Sequence, residues 1–278
     1  MGPQHILFAG CGDLGGAAAR LLLARGASVS ALRRTVSKLP PGVHGIAGDL
    51  VSGRGFDAIP SKLDAVVYIV TAASANEQAY WEAYVGGLQR LLEHPGVASA
   101  RRLVFVSSTS VYAQRDGEQV DETSPTLPTR YNGQIMLAAE GVAAQHPHAT
   151  ILRLGGIYGR GRERLIRWVR EGRACVEDPP HFTNRIHRDD AARAIAHLLD
   201  LPSPQAVYVG VDHDPAAQHL VLDWIADQLM LARVPRDESA RSALGSKRCV
   251  NRALVASAFQ FNFSTYRDGY APLLAAQP

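Results

Sequence analysis

Gly10, Gly12 and Gly15 stand at GxGxxG spacing in "HILFAGCGDLGGAAARLLLARGASVSALRR", residues 5–34. A short apolar run precedes them and an Ala/Leu-rich run follows. Such a turn is built for phosphate. The first glycine permits the tight bend, the second lets the backbone approach a pyrophosphate, and the third lets helix pack close on strand. The helix opening at Asp13 and Leu14 then presents free N–H groups to the anion. The next strand ends in Arg33 and Arg34, where a site for NAD carries an acid that holds the ribose 2′-hydroxyl. Two guanidiniums suit a 2′-phosphate, which they grip bidentately. The pattern predicts NADP, with NAD the weaker candidate. Asp49, in "AGDL", closes the third strand and either faces the adenine or caps a turn.

These residues need a frame. "HILFAG" (5–10), "ASVSALRR" (27–34), "DAVVYIV" (64–70), "RRLVFVSS" (101–108) and "HATILRLGG" (148–156) read as strands. Helical patterns fill 14–25, 76–94 and 131–145; within 76–94, Tyr80, Tyr84, Leu88 and Leu91 recur at helical spacing. Strand–helix alternation predicts an α/β fold, a Rossmann-type doubly wound parallel sheet. After about residue 157 the order changes. Helical runs "RERLIRWVREG" and "RDDAARAIAHLLD", a strand "QAVYVG" (205–210) and a helix over 217–232 predict a smaller C-terminal α/β lobe. The expected division is 1–157 for the dinucleotide and 158–278 for the substrate, interleaved without a clean linker.

Three further motifs, "VFVSSTSVYA" (104–113), "ILRLGGIYGRGR" (151–162) and "NRIHRDDAARAI" (184–195), complete a resemblance. The chain resembles the extended short-chain dehydrogenase/reductases, the NAD-dependent epimerase/dehydratase group, and within it an atypical bacterial subgroup with GxGxxG. The similarity runs over nearly the whole chain, to "FQFNFSTYRDGYAPLL" (259–274). It implies a small-molecule substrate, often a nucleotide sugar. It places Ser108 at the catalytic Ser/Thr position. It places Arg153 near the nicotinamide end of the cofactor, and Tyr158, Arg185 and His187 toward substrate. Members of the group often pair through a four-helix bundle, here of 76–94 and 131–145; Tyr80, Trp81, Tyr84 and Leu88 either offer apolar surface for such a homodimer or are all intramolecular core.

One part of the pattern fails. The family's base is the tyrosine of YxxxK, whose lysine lowers the tyrosine pKa from about 10 and holds the nicotinamide ribose. Here "YNGQIMLAAE" (131–140) puts Ile135 four residues after Tyr131, and the adjacent register pairs Asn132 with Met136. The chain's lysines are Lys38, Lys62 and Lys247, none near this helix. Two readings follow. The chain is an NADP-dependent oxidoreductase or epimerase whose acid/base is Tyr112, Tyr131 or His187. Alternatively it is a non-catalytic NADP-binding sensor or partner-binding protein.

Composition narrows the rest. The chain has 278 residues, 46% hydrophobic and 20% charged, with a net charge of +3. That charge is too small and scattered to predict nucleic-acid binding. Cys11, Cys175 and Cys249 form no CxxC pair, so neither a zinc site nor a disulfide framework is expected. No apolar stretch reaches membrane-spanning length, and no basic segment precedes the first apolar run, so a cytoplasmic protein is expected. No GxSxG, HExxH or GxxxxGK[ST] occurs. "DGEQVDETSP" (116–125) reads as a solvated loop.

Overall fold

A computed structural model describes residue 2, residues 4–240 and residues 245–276, and every candidate residue above lies within them. The strands in chain order are β1 (His5–Ala9), β2 (Ser28–Arg33), β3 (His44–Ala47), β4 (Ala65–Tyr68), β5 (Leu103–Ser108) and β6 (Glu118–Val120). They continue with β7 (Ala149–Leu154), β8 (Gly156–Tyr158), β9 (Arg185–His187), β10 (Val207–Gly210) and β11 (Lys247–Cys249). β4 is buried at all four positions and β1 at four of five. Parallel strands covered on both faces must be apolar in this way.

The central sheet has seven strands in the order β10-β7-β5-β4-β1-β2-β3. The ladders from β3 through β2, β1 and β4 to β5 are parallel. The strand order reverses where β1 sits between β2 and β4. This is a Rossmann-type doubly wound sheet, and such sheets bind ligands at the carboxyl ends of the strands beside that reversal. The glycine turn leaves β1 there.

Two expectations need correction. The strand expected in the C-terminal lobe, β10, is the edge strand of the central sheet. Ile151 N–H donates to the Ala206 carbonyl at 2.8 Å, and Gly155 N–H to that of Gly210 at 3.0 Å. Its partner β7 lies far back in the chain, so no local signal marked the pairing. The 116–125 stretch is not a plain solvated loop either. β6 pairs in parallel with β11, with Glu118 opposite Lys247 and Val120 opposite Cys249.

The helix expected over 76–94 is broken into α-helix (Glu77–Tyr80), a π-helical turn (Trp81–Gly86) and α-helix (Gly87–Leu92). The Tyr68 hydroxyl reaches in from β4 and donates to the Ala83 carbonyl, which an α-helix would offer to Gly87. A Cβ on residue 87 would come within 2.8 Å of that hydroxyl. The competing donor gives the wider turn its cause. Tyr84 and Leu88 are buried, while Trp81 is 48% exposed.

The described residues divide into two compact units whose segments alternate along the chain. The first runs up to Val111 and adds Thr126–Arg153 and Ala192–Tyr208. The second comprises Tyr112–Pro125, Leu154–Ala191 and Val209 onward. The second has its own core, with Tyr158, Ile166, Leu222, Ile225, Tyr266 and Tyr270 among its members.

Candidate functional site

Gly10 has φ +83°, and a Cβ there would lie 2.2 Å from the Ile69 carbonyl oxygen. Only glycine turns the chain at this point. Gly12 is the N-cap of the first helix, Asp13–Ala24, and its carbonyl accepts from Gly16 N–H at 2.8 Å. A Cβ on Gly12 would meet nothing within 4 Å, so open space lies in front of the helix N-terminus. Gly15 is the packing glycine: its Cβ would sit 3.4 Å from both the Gly10 carbonyl and Ile69 Cγ2. Asp13 is exposed in the first turn and Leu14 is buried beneath it. A tight bend, a clear space and a helix N-terminus fit a pyrophosphate.

Arg33 is tied to this turn. Its Nη1 donates to the Cys11 carbonyl at 2.6 Å, so one guanidinium stands at the glycine turn; Arg34 beside it is exposed. Burial pushes the Cys11 thiol pKa up, and Arg33 and Arg20 pull it back. Arg20, on the first helix, is thus a second cation whose charge reaches this thiol, and nothing in the motif singled it out. Of the two alternatives for Asp49, the turn cap is present: its Oδ1 accepts from Val51 N–H at 2.9 Å and its carbonyl from Gly53 N–H at 2.8 Å.

Ser108 ends β5, half-buried, and its Oγ accepts from Ser110 N–H at 3.1 Å. Accepting leaves the hydroxyl proton free to be donated. Tyr131 opens the helix Tyr131–Ala143. Its hydroxyl donates to the Ala75 carbonyl at 2.9 Å, and its ring meets Tyr80 edge-on at 5.5 Å. Ile135, in place of a lysine, is buried. Arg153 is buried against Glu140: Nη2 meets Oε2 at 2.7 Å and Nε meets Oε1 at 3.0 Å. Ser107 Oγ donates to the same Oε1 at 2.6 Å. Sequence reasoning missed this buried trio; its one signal was an acid in an otherwise apolar helical run.

In the second unit, Tyr112 is buried and its hydroxyl donates to the Asp121 carbonyl at 2.8 Å. β8 and β9 bring the three remaining candidates together, pairing Gly156 with Arg185 and Tyr158 with His187. All three are buried. Tyr158 stacks on Tyr270 at 4.4 Å, and His187 packs on Phe263 at 3.9 Å. His187 Nδ1 accepts from Asp189 N–H at 3.2 Å, and burial lowers its pKa. Arg185 donates to the Thr183 hydroxyl and lies 5.3 Å from the Tyr266 ring. Asp212, whose N–H donates to the Arg185 carbonyl at 2.7 Å, is buried with Oδ2 unpartnered. Burial pushes its pKa up to about 7, against the pull of Arg185. Asp190 anchors the closing segment by accepting from Asn262 and Phe263 N–H at 2.9 and 2.8 Å.

Among the described residues no cluster of three His, Cys, Asp or Glu could hold a metal. No helix among them is long and apolar enough to cross a membrane.

A doubly wound sheet entered by a glycine turn with a helix N-terminus behind it defines a Rossmann-type dinucleotide-binding protein. The model of the NAD dependent epimerase/dehydratase family matches residues 6–210, and the chain belongs to that NAD(P)-binding family. A solved structure from Methylobacillus flagellatus, provisionally described as an NAD-dependent epimerase/dehydratase, is 35% identical over 98% of both chains, with a TM-score of 0.84. Protein YeeZ of Escherichia coli K12 is 29% identical over 154 residues, 55% of each chain. UDP-glucose 4-epimerase of Streptomyces lividans is 28% identical over 165 residues, 52% of this chain and 49% of that one. The match thus spans about half the length of these curated relatives.

Proposed function

We propose that the chain binds NADP at the glycine turn of its first unit and uses it in an oxidoreductase or epimerase reaction on a nucleotide sugar or small carbonyl compound. The observation that carries this reading is Arg33, held on the Cys11 carbonyl, with no acid taking the ribose-reading place. When bound, the nicotinamide supplies or accepts a hydride. The chain's own residues do the rest. The glycine turn and the helix behind it take the pyrophosphate; Arg33, with Arg34, takes the 2′-phosphate. Ser108 keeps a proton to donate to a substrate carbonyl. The hydroxyls of Tyr131 and Tyr112 are engaged with backbone carbonyls. Arg153 serves by fixing Glu140 and, through it, Ser107 on β5 beside Ser108.

The second unit would hold substrate, with Tyr158, Arg185 and His187 shaping it from within. The relative that acts on UDP-glucose supports a nucleotide sugar. Three free, buried cysteines support a reducing, cytoplasmic setting. Exposed Trp81 supports a homodimer through the 77–92 helix; light scattering that reads a monomer at micromolar concentration would overturn that part.

A screen of nucleotide sugars and small carbonyl compounds at the NADPH absorbance band, with product analysis to catch internally recycled hydride, tests turnover. The second reading, an NADP-binding sensor, is favoured by Ile135 where the lysine should stand. Tight NADPH binding with no product across the screen would select it.

A further inference from the structure

Lys247 is one of only three lysines in the chain, and it is 8% exposed. β11 carries it in the second unit. Its ammonium has three hydrogens to donate. One goes to the Tyr112 carbonyl at 2.9 Å. No carboxylate among the described residues forms an ion pair with it. Glu118, opposite it in the ladder, is exposed and accepts instead from Asp116 N–H at 2.8 Å. Cys249, two residues on, supplies no charge, since burial holds its thiol up at about 12. Burial also lowers the pKa of Lys247 itself. A buried cation met by one neutral carbonyl is costly, because what water gave it has not been replaced. In an arginine-rich chain, a compact ammonium with two donors unspent at such a place asks for an anion.

We propose that Lys247 receives a phosphoryl oxygen of the substrate, its remaining N–H donors completing their bonds on that charge. This rests on the reading of the second unit as the substrate unit and deepens it by naming the group recognised. Phosphoryl oxygens carry full charge and several acceptor sites, which matches two unspent donors. The next residue, Arg248, points to the opposite, exposed face of the strand, where its Nε donates to the Gly117 carbonyl at 2.7 Å, so the charge at the buried position is that of Lys247.

Three lysines make the test site-specific. Protein labelled with 13C at the lysine ε-carbon gives three signals, assigned with K38R, K62R and K247R. The Lys247 signal is followed through a pH titration alone and with pyrophosphate, UDP-glucose or uridine. The proposal predicts that pyrophosphate and UDP-glucose raise the apparent pKa of Lys247, and that uridine leaves it unmoved. Lys247→Met should weaken UDP-glucose binding on the order of tenfold or more, the size of a lost hydrogen bond to a charged group, whereas Lys62→Met should not. Should Lys247→Met fail to fold, the titration of the unaltered protein decides. A Lys247 signal unmoved by saturating pyrophosphate and UDP-glucose overturns the proposal. If UDP-glucose does not bind while pyrophosphate moves Lys247, the nucleotide-sugar reading falls and the anion site stands.

Discussion

At the scale of single residues, the site divides by where each proton is spent. Ser108 accepts from Ser110 N–H and keeps its own hydrogen, whereas Tyr131 gives its hydrogen to Ala75. If a substrate is found, Ser108→Ala should therefore cost more turnover than Tyr131→Phe. The tyrosine change should cost much less than the ~10²–10⁴-fold that follows loss of a general acid or base. Initial rates of the two variants decide it, and a dead Tyr131→Phe beside an intact Ser108→Ala would reverse the assignment. Arg153 shows what a motif leaves out: its guanidinium meets Glu140, a partner that only folding brings near. The glycines were legible because each demand is local: a positive φ at Gly10, clear space at Gly12, close packing at Gly15.

At the scale of elements, the turn between β1 and the first helix does one job, and a side chain at its open point should stop it. Gly12→Val should fold, since nothing within 4 Å opposes a Cβ there. Excess NADPH should raise the melting temperature of the unaltered protein and not that of the variant, because a ligand stabilises only what it binds. Equal rises in both proteins would put the nucleotide elsewhere. Strands β1, β4 and β5 could be read from sequence because burial on both faces makes each largely a continuous apolar run. β6 and β11 could not: each has three residues, and they pair across more than a hundred positions of chain. The π turn at Trp81–Gly86 was hidden too, since its cause is a hydroxyl on another element, Tyr68.

At the scale of the molecule, two buried groups of the second unit give stability opposite dependences on pH. Asp212 has its folded pKa raised to about 7 from an ordinary 3.8. The native state therefore holds this proton where the unfolded chain has lost it. The stabilisation is full below the unfolded value and fades as pH rises through 7. At most it amounts to roughly 4 kcal/mol, at 1.36 kcal/mol per pKa unit. His187, its pKa lowered by burial, acts the other way: its contribution is present above the ordinary histidine range and is lost as pH falls below it. Asp212→Asn removes the first effect alone. Urea unfolding at pH 5 and pH 8 should show a smaller loss of stability toward pH 8 in the variant than in the unaltered protein. Equal losses would mean that Asp212 is ionised in the fold.

Every role proposed for this chain depends on a dinucleotide at the glycine turn, chosen by its 2′-phosphate. Calorimetric titration of NADPH and NADH into the unaltered protein and Arg33→Ala measures that choice directly. NADPH should bind more tightly, each charge-assisted contact to the 2′-phosphate contributing about 1.5–3 kcal/mol before desolvation losses. Arg33→Ala should erode the preference and leave NADH affinity nearly unchanged. Equal affinity for the two dinucleotides, or a preference for NADH, would contradict it.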